Sequence, residues 1–211
     1  MRAARLSAAV VVAASVAVFA ALALDVVLGG PVSAMDRAAS DWFRGLAQGG
    51  PGRMMAAVSA LHAPRGILAA TLAVALVLLW RRDWRGLAYV LVAVPGGATL
   101  NALLKHVFER PRPDFGGVAL AASDFGFPSG HVANATLLYG SVALLVLRRV
   151  DGGVARLAVV VAAIVPVGLV ALSRLVLGAH FPTDVIAAMA EGLAWLALCA
   201  IVIAMRAPAR T

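Results

Sequence analysis

The chain alternates between long apolar runs and short charged loops. A helix needs about 20 mostly apolar residues to cross the hydrocarbon core of a bilayer. Runs of that kind occupy residues 6–28, 65–80, 86–106, 131–148, 154–176 and 183–205. The second is short, and its helix is expected to begin earlier, around Met54, with HAPRG (62–66) as a kink or an entry point. Six spans put both termini on one side. The basic start MRAAR and the stretch ALALD resemble a signal peptide, but the apolar run is longer than a signal core, so it is read as a retained helix. Between the first two spans, MDRAASDWFRGLAQGG reads as a short amphipathic helix or an ordered loop in the outer interface. Ala38, Trp42, Phe43 and Leu46 share one face there, with Asp36, Arg37, Asp41 and Arg44 as the polar residues.

Composition makes the membrane assignment firm. Of 211 residues, 63% are hydrophobic and 13% charged, against about a quarter charged in soluble domains. One soluble core could not bury that much apolar surface. The fold expected is therefore all-α and polytopic, a single domain over residues 1–211.

The net charge of +8 raises the question of nucleic acid, but the basic residues are scattered, with no stripe or aromatic-interleaved patch. Anionic headgroups and an anionic substrate explain them better. With the N-terminus inside, ten Lys and Arg residues fall on the cytoplasmic side and eight on the other. Three of the eight, Lys105, Arg112 and Arg174, have a chemical use argued below. The rest favour cytoplasmic termini. Cys199, the single cysteine, lies in the last run and reads as a packing residue.

Ionisable residues at membrane depth are costly, which makes them functional candidates. They form three islands: KHVFERPRP (105–113), PSGH (128–131) and SRLVLGAHFPTD (173–184). Six spans place all three on the outer side, at the ends of the third to sixth. Lys105, Arg112 and Arg174 supply positive charge, two of them as planar forks suited to oxyanions. Ser129 adds a hydroxyl, and Gly130 lets the backbone approach an anion at a helix start. Asp184 can accept from one imidazole nitrogen of His180, leaving the other as a nucleophile, and His131 can protonate a leaving oxygen. Displacement at phosphorus is then feasible without a metal.

These residues resemble the type 2 phosphatidic acid phosphatase (PAP2) superfamily of membrane lipid phosphatases. Its signature, K-x6-R-P, P-S-G-H and S-R-x5-H-x3-D, is matched by Lys105, Arg112 and Pro113; by Pro128, Ser129, Gly130 and His131; and by Ser173, Arg174, His180 and Asp184. The resemblance implies a phosphohistidine at His180, oriented by Asp184, with His131 as acid and then base. Lys105, Arg112, Ser129, Gly130 and Arg174 would bind the phosphate, and no metal or other cofactor is implied. The expected substrate is an outer-leaflet lipid phosphate: undecaprenyl diphosphate, phosphatidylglycerophosphate or phosphatidic acid. Membrane lipids are the other partners, and nucleic acid is not one. The expected location is the inner membrane, with the site facing the periplasm or exterior. A non-catalytic lipid-phosphate binder or transporter is the alternative, and a vanadate-dependent haloperoxidase relative ranks below it.

Several polar residues have plainer readings. Arg110 is balanced between snorkelling to headgroups and the site, and His62 and His106 read as interfacial bystanders. Asn134 lines the pocket or bonds between helices, and Glu191 needs a partner not evident from the chain. Phe115, Phe125 and Phe127 could guide a lipid tail or simply pack their loop.

Overall fold

The computed structural model describes residues 2–114 and 125–203. Phe115, Arg206, Arg210 and the last residues of the expected sixth span lie outside them. Among the described residues the regular structure is all helical: α1 Arg2–Leu28, α2 Pro31–Gly45, α3 Gly50–Leu61, α4 Pro64–Trp80, α5 Trp84–Phe108, α6 Gly130–Leu147, α7 Gly153–Val176 and α8 Pro182–Val202. Five are long and apolar enough to span a membrane: α1 over Leu6–Leu28, α5, α6, α7 and α8. The pair α3–α4 makes a sixth if it counts as one span, bent by 53° at its break. The kink expected at HAPRG is that break. Pro64 cannot continue the upstream hydrogen-bond ladder, and it opens α4 instead.

The bend is held by polar contacts rather than left loose. His62, at the end of α3, donates from Nδ1 to the Val58 carbonyl (2.8 Å), and its Nε2 lies 2.8 Å from the Tyr139 hydroxyl on α6. His62 is thus buried, not an interfacial bystander. A ring with two partners inside the bundle costs less there than an unsatisfied one.

Helix α6 touches α4, α5, α7 and α8, and α8 is flanked by α1, α5 and α6. Apolar side chains between α4, α5, α6 and α8 form one packed layer around Tyr89, Val90, Leu137 and Leu196, where Cys199 is also buried. Small residues of α6 and α8, among them Ala133, Ala135 and Ala188, pack with Val170 and Ala171 of α7 in another. Phe19 of α1 reaches the aromatic pair Phe108 and Phe127. Phe127 is fully buried there, so it packs its loop and does not line a lipid path. Tyr89 donates to the Leu196 carbonyl (3.0 Å), and Trp195 Nε1 to that of Ala93 (3.0 Å), tying α5 to α8.

Gly97 lets α5 pack closely against α6 and α8. A Cβ there would stand 2.5 and 2.6 Å from the two Leu137 methyl carbons and 3.0 Å from Trp195 Cδ1. Leu137 is itself fully buried, packed in the core with Tyr89, Val90 and Leu196. Gly97→Ala is therefore expected to destabilise the bundle by about 1–3 kcal/mol, read as a lowered thermal midpoint in detergent. An unchanged midpoint would mean that the α5–α6 contact is looser than described.

The two ends of the bundle differ in charge. Where α4 meets α5 and α6 meets α7, Asp83 caps α5 by accepting from Gly86 N (3.0 Å). It also pairs with Arg149 (2.6 Å), beside Arg81, Arg82, Arg85 and Arg148. The opposite end gathers the end of α5, the starts of α6 and α8, and the end of α7. All three polar islands lie there.

Candidate active site

Each island sits where a helix begins or stops. Lys105 is in the last turn of α5, which ends at Glu109 in a left-handed conformation (φ 45°) before Pro111 and Pro113. The chain returns at Phe125, whose carbonyl accepts from Lys105 Nζ, and Gly126 N donates to the Arg110 carbonyl (2.7 Å). The two arms of this loop are thereby closed on each other.

Ser129 occupies the N-cap of α6, yet its hydroxyl makes no capping bond. A serine at that position ordinarily accepts from a first-turn amide. Here Oγ is buried with no hydrogen-bond partner, at the start of α6, where the first-turn amides have no carbonyl within the helix to donate to. A hydroxyl held dry beside orphan N–H groups suits an anion. Gly130 opens the helix, where a Cβ would stand 3.3 Å from Asn101 Oδ1 and 3.7 Å from Lys105 Cε. Lys105 therefore runs alongside the start of α6, as a shared phosphate site would require. His131 follows in the first turn of α6, half-buried.

The third island joins the second through the backbone: Ser129 N donates to the Asp184 carbonyl (3.1 Å). Arg174 lies in the last turn of α7 and donates from Nη1 to Ser59 Oγ of α3 (2.5 Å). His180 stands in the turn between α7 and α8, 1% exposed. Its Nδ1 is 3.4 Å from Asp184 Oδ2, longer than an ordinary hydrogen bond. If the pair is catalytic, a long contact is ordinary before substrate binds. Burial depresses the His180 pKa from 6.5 to about 4, with Arg112 and Arg174 adding to the effect and Asp184 opposing it. The imidazole is therefore neutral at ordinary pH.

Asp184 is fixed from several directions. Its Oδ2 accepts from Phe181 N (2.9 Å), closing the first turn of α8 as a cap, and its Oδ1 accepts from Arg110 Nη1 (2.5 Å). Arg110 also donates to Thr183 Oγ1 (2.7 Å) and to Asp36 Oδ2 on α2 (2.7 Å), and lies over the Phe181 ring at 4.5 Å. It faces the site rather than the headgroups. Asp36, placed among the polar interfacial residues by the sequence, is 3% exposed and inside this network. The helix expected there does form, as α2. Trp42, Ala38 and Leu46 lie outward, while Asp36, Ser40 and part of Phe43 turn inward.

Ser59, Asp36 and Arg110 are the residues near the site that sequence reasoning missed or left open. Only the doubled arginine of ERPRP carried a local signal. Glu191 finds its partner in Asn101, whose Nδ2 donates to Oε2 (2.8 Å). Asn134 is half-buried on α6, with its Oδ1 unbonded. His106 is exposed against the Phe125 ring. Among the described residues, no group of three or more His, Cys, Asp and Glu side chains is arranged to hold a metal ion.

The sequence model of the PAP2 superfamily matches residues 86–208, more than half of the chain. The chain belongs to the PAP2 superfamily. Within this family it is 36% identical over 116 residues to phosphatidylglycerophosphatase B of Bacillus subtilis, covering 54% of this chain and 56% of that protein. It is 34% identical over 118 residues to decaprenylphosphoryl-5-phosphoribose phosphatase of Mycobacterium tuberculosis, with 53% and 56% covered. A lipid A 1-phosphatase of Rhizobium johnstonii matches at 34% over 133 residues, with 59% and 50% covered. The chain thus spans about half the length of the curated relatives it matches. The crystal structure of a transmembrane PAP2-type phosphatidylglycerolphosphate phosphatase from Bacillus subtilis superposes with a TM-score of 0.78. Its identity is 29%, and the match covers 89% of this chain and 93% of that one. This PAP2 chain is a multi-pass membrane protein on the same fold.

Proposed function

We propose that this chain is a membrane lipid-phosphate phosphatase that works through a phosphohistidine. The observation that carries the reading is a neutral, buried His180 backed by Asp184 and flanked by Arg112 and Arg174. His180 Nε2 attacks phosphorus while Nδ1 keeps its proton toward Asp184. As the N–P bond forms, the P–O bond to the lipid breaks, and His131 gives its proton to the departing oxygen. Water then attacks phosphorus, His131 takes the water's proton, and the N–P bond breaks to release phosphate. Lys105, Arg112, Ser129, Gly130 and Arg174 hold the phosphoryl oxygens and stabilise the charge they gain.

The domain is read as the whole chain, residues 1–211, because α1 to α4 pack on the family-matched part. The termini are read as cytoplasmic and the site as facing outward. This agrees with the arginine-rich loops at the end opposite the site. Phosphatidylglycerophosphate ranks first among substrates because a curated relative and the solved relative are both named for it. Undecaprenyl diphosphate and phosphatidic acid follow.

The test is phosphate release by purified protein in detergent, with EDTA present. The substrates would be these three lipids and a soluble phosphate ester. Release from at least one lipid is expected. Silence across the panel from folded protein would overturn the reading in favour of lipid-phosphate binding. The pH profile supplies a further expectation. Because the His180 pKa lies near 4, kcat/KM should hold as pH falls through 6.5 and decline only near pH 4. Below 6.5 an unfolded chain would take up a proton that the folded one refuses, so stability should also fall over that window. An acid limb at 6.5 would place the ring in open water.

A further inference from the structure

The site is joined to a helix that the family match leaves out. Arg110, Thr183 and Asp184 lie within residues 86–208, whereas Asp36 belongs to α2, upstream of the match. Asp36 nevertheless reaches the first turn of α8. Its Oδ1 accepts from Thr183 N (3.1 Å), and its Oδ2 accepts from both Thr183 Oγ1 (2.5 Å) and Arg110 Nη2 (2.7 Å). With Arg110 donating to Thr183 Oγ1, Asp36, Thr183 and Arg110 form a closed ring of hydrogen bonds.

The geometry divides the guanidinium. Its planar fork would otherwise chelate both oxygens of one carboxylate. Here one prong goes to Asp184 Oδ1 and the other to Asp36. Asp184 Oδ2 is left for Phe181 N and for His180 Nδ1. The Asp36 charge also offsets that of Arg110, so Asp184 faces the imidazole with more of its own charge.

We propose that Asp36 and Arg110 are positioning residues for the His180–Asp184 pair. Asp36 holds one prong of the Arg110 fork away from Asp184, which keeps one Asp184 oxygen turned to His180. The inference rests on His180 as the nucleophile of the proposed function. The groups acting on His180 are Asp184 from α8, Arg112 from the loop after α5 and Arg174 from α7, with Arg110 acting through Asp184.

Asp36→Asn frees the second prong to close on Asp184. It is expected to lower kcat roughly 10- to 100-fold, with KM held within about threefold. It also removes a negative charge near the ring, so the acid limb of kcat/KM should move to lower pH. Arg110→Gln removes a positive charge, and its limb should move to higher pH. General loosening of the site would move both limbs upward, toward 6.5.

A measurement free of turnover separates this inference from the function it rests on. In NMR of isotope-labelled histidine, the His180 signal is identified by its loss in His180→Ala. The Nδ1–H tautomer is expected in the wild type and a mixture in Asp36→Asn. If Asp36→Asn does not fold, Thr183→Val removes the hydroxyl that links Asp36 to Arg110, and a smaller loss in kcat with the same tautomer mixing is expected. Unchanged kcat, limb and tautomer, or limbs that move the same way, would overturn the proposal.

Discussion

His180→Ala is expected to lower phosphate release about 10⁴-fold or more, with EDTA present and lipid saturating. Losses of that order follow removal of a nucleophile whose other catalytic groups remain. No neighbour is placed to replace it: Asp184 is taken up by Arg110 and Phe181 N, and His131, as the acid for the departing oxygen, would stand on the far side of phosphorus. Arg112 and Arg174 are cations and cannot attack phosphorus. Substrate binding should survive, because the phosphate contacts assigned to Lys105, Ser129, Gly130 and Arg174 lie on other elements. The variant should therefore still bind lipid phosphate while failing to turn it over. Equilibrium binding beside a release assay reads both. Release within tenfold of the wild type would remove His180 from the nucleophile's role.

Asp184→Asn is expected to lower kcat by about 10³- to 10⁴-fold, with KM little changed. The substitution keeps the shape of the side chain but changes what faces the ring. An amide that turns its NH2 to His180 Nδ1 demands a lone pair there, so the proton must move to Nε2. Nε2 is the atom that should attack, and once protonated it cannot. If the amide turns its oxygen to the ring instead, its NH2 meets Arg110, donor against donor. Either choice leaves one buried polar contact unmet, which costs about 1–3 kcal/mol of stability. A small loss of thermal midpoint with a large loss of kcat is the expected pair of results. A large rise in KM with kcat kept would make Asp184 a substrate ligand rather than a partner of His180.

The spans illustrate what could be read along the chain. In a bilayer every backbone donor and acceptor must be met within the segment, so length and hydropathy are nearly sufficient to find a helix. The expected run 86–106 became Trp84–Phe108, and 131–148 became Gly130–Leu147. The kink near HAPRG was legible because proline breaks a ladder locally. The islands were legible for a related reason: apolar helix ends give little cause for a lysine, a serine or a histidine, and their spacing matches a known signature.

Partners across the fold were not legible. Asp36 has the neighbours of an ordinary amphipathic helix, and only the packing of α2 beside α8 turns it toward Thr183 and Arg110. His62 and Tyr139 are 77 positions apart, and nothing local to either announces the pair. The chain by itself determined a membrane bundle with its polar islands at helix ends, because hydropathy, proline and motif spacing act over a few residues. Tertiary structure alone decided which carboxylate steadies Arg110, which serine meets Arg174 and how deeply His180 is buried. Those contacts join helices distant in sequence, and burial is a property of the assembled bundle.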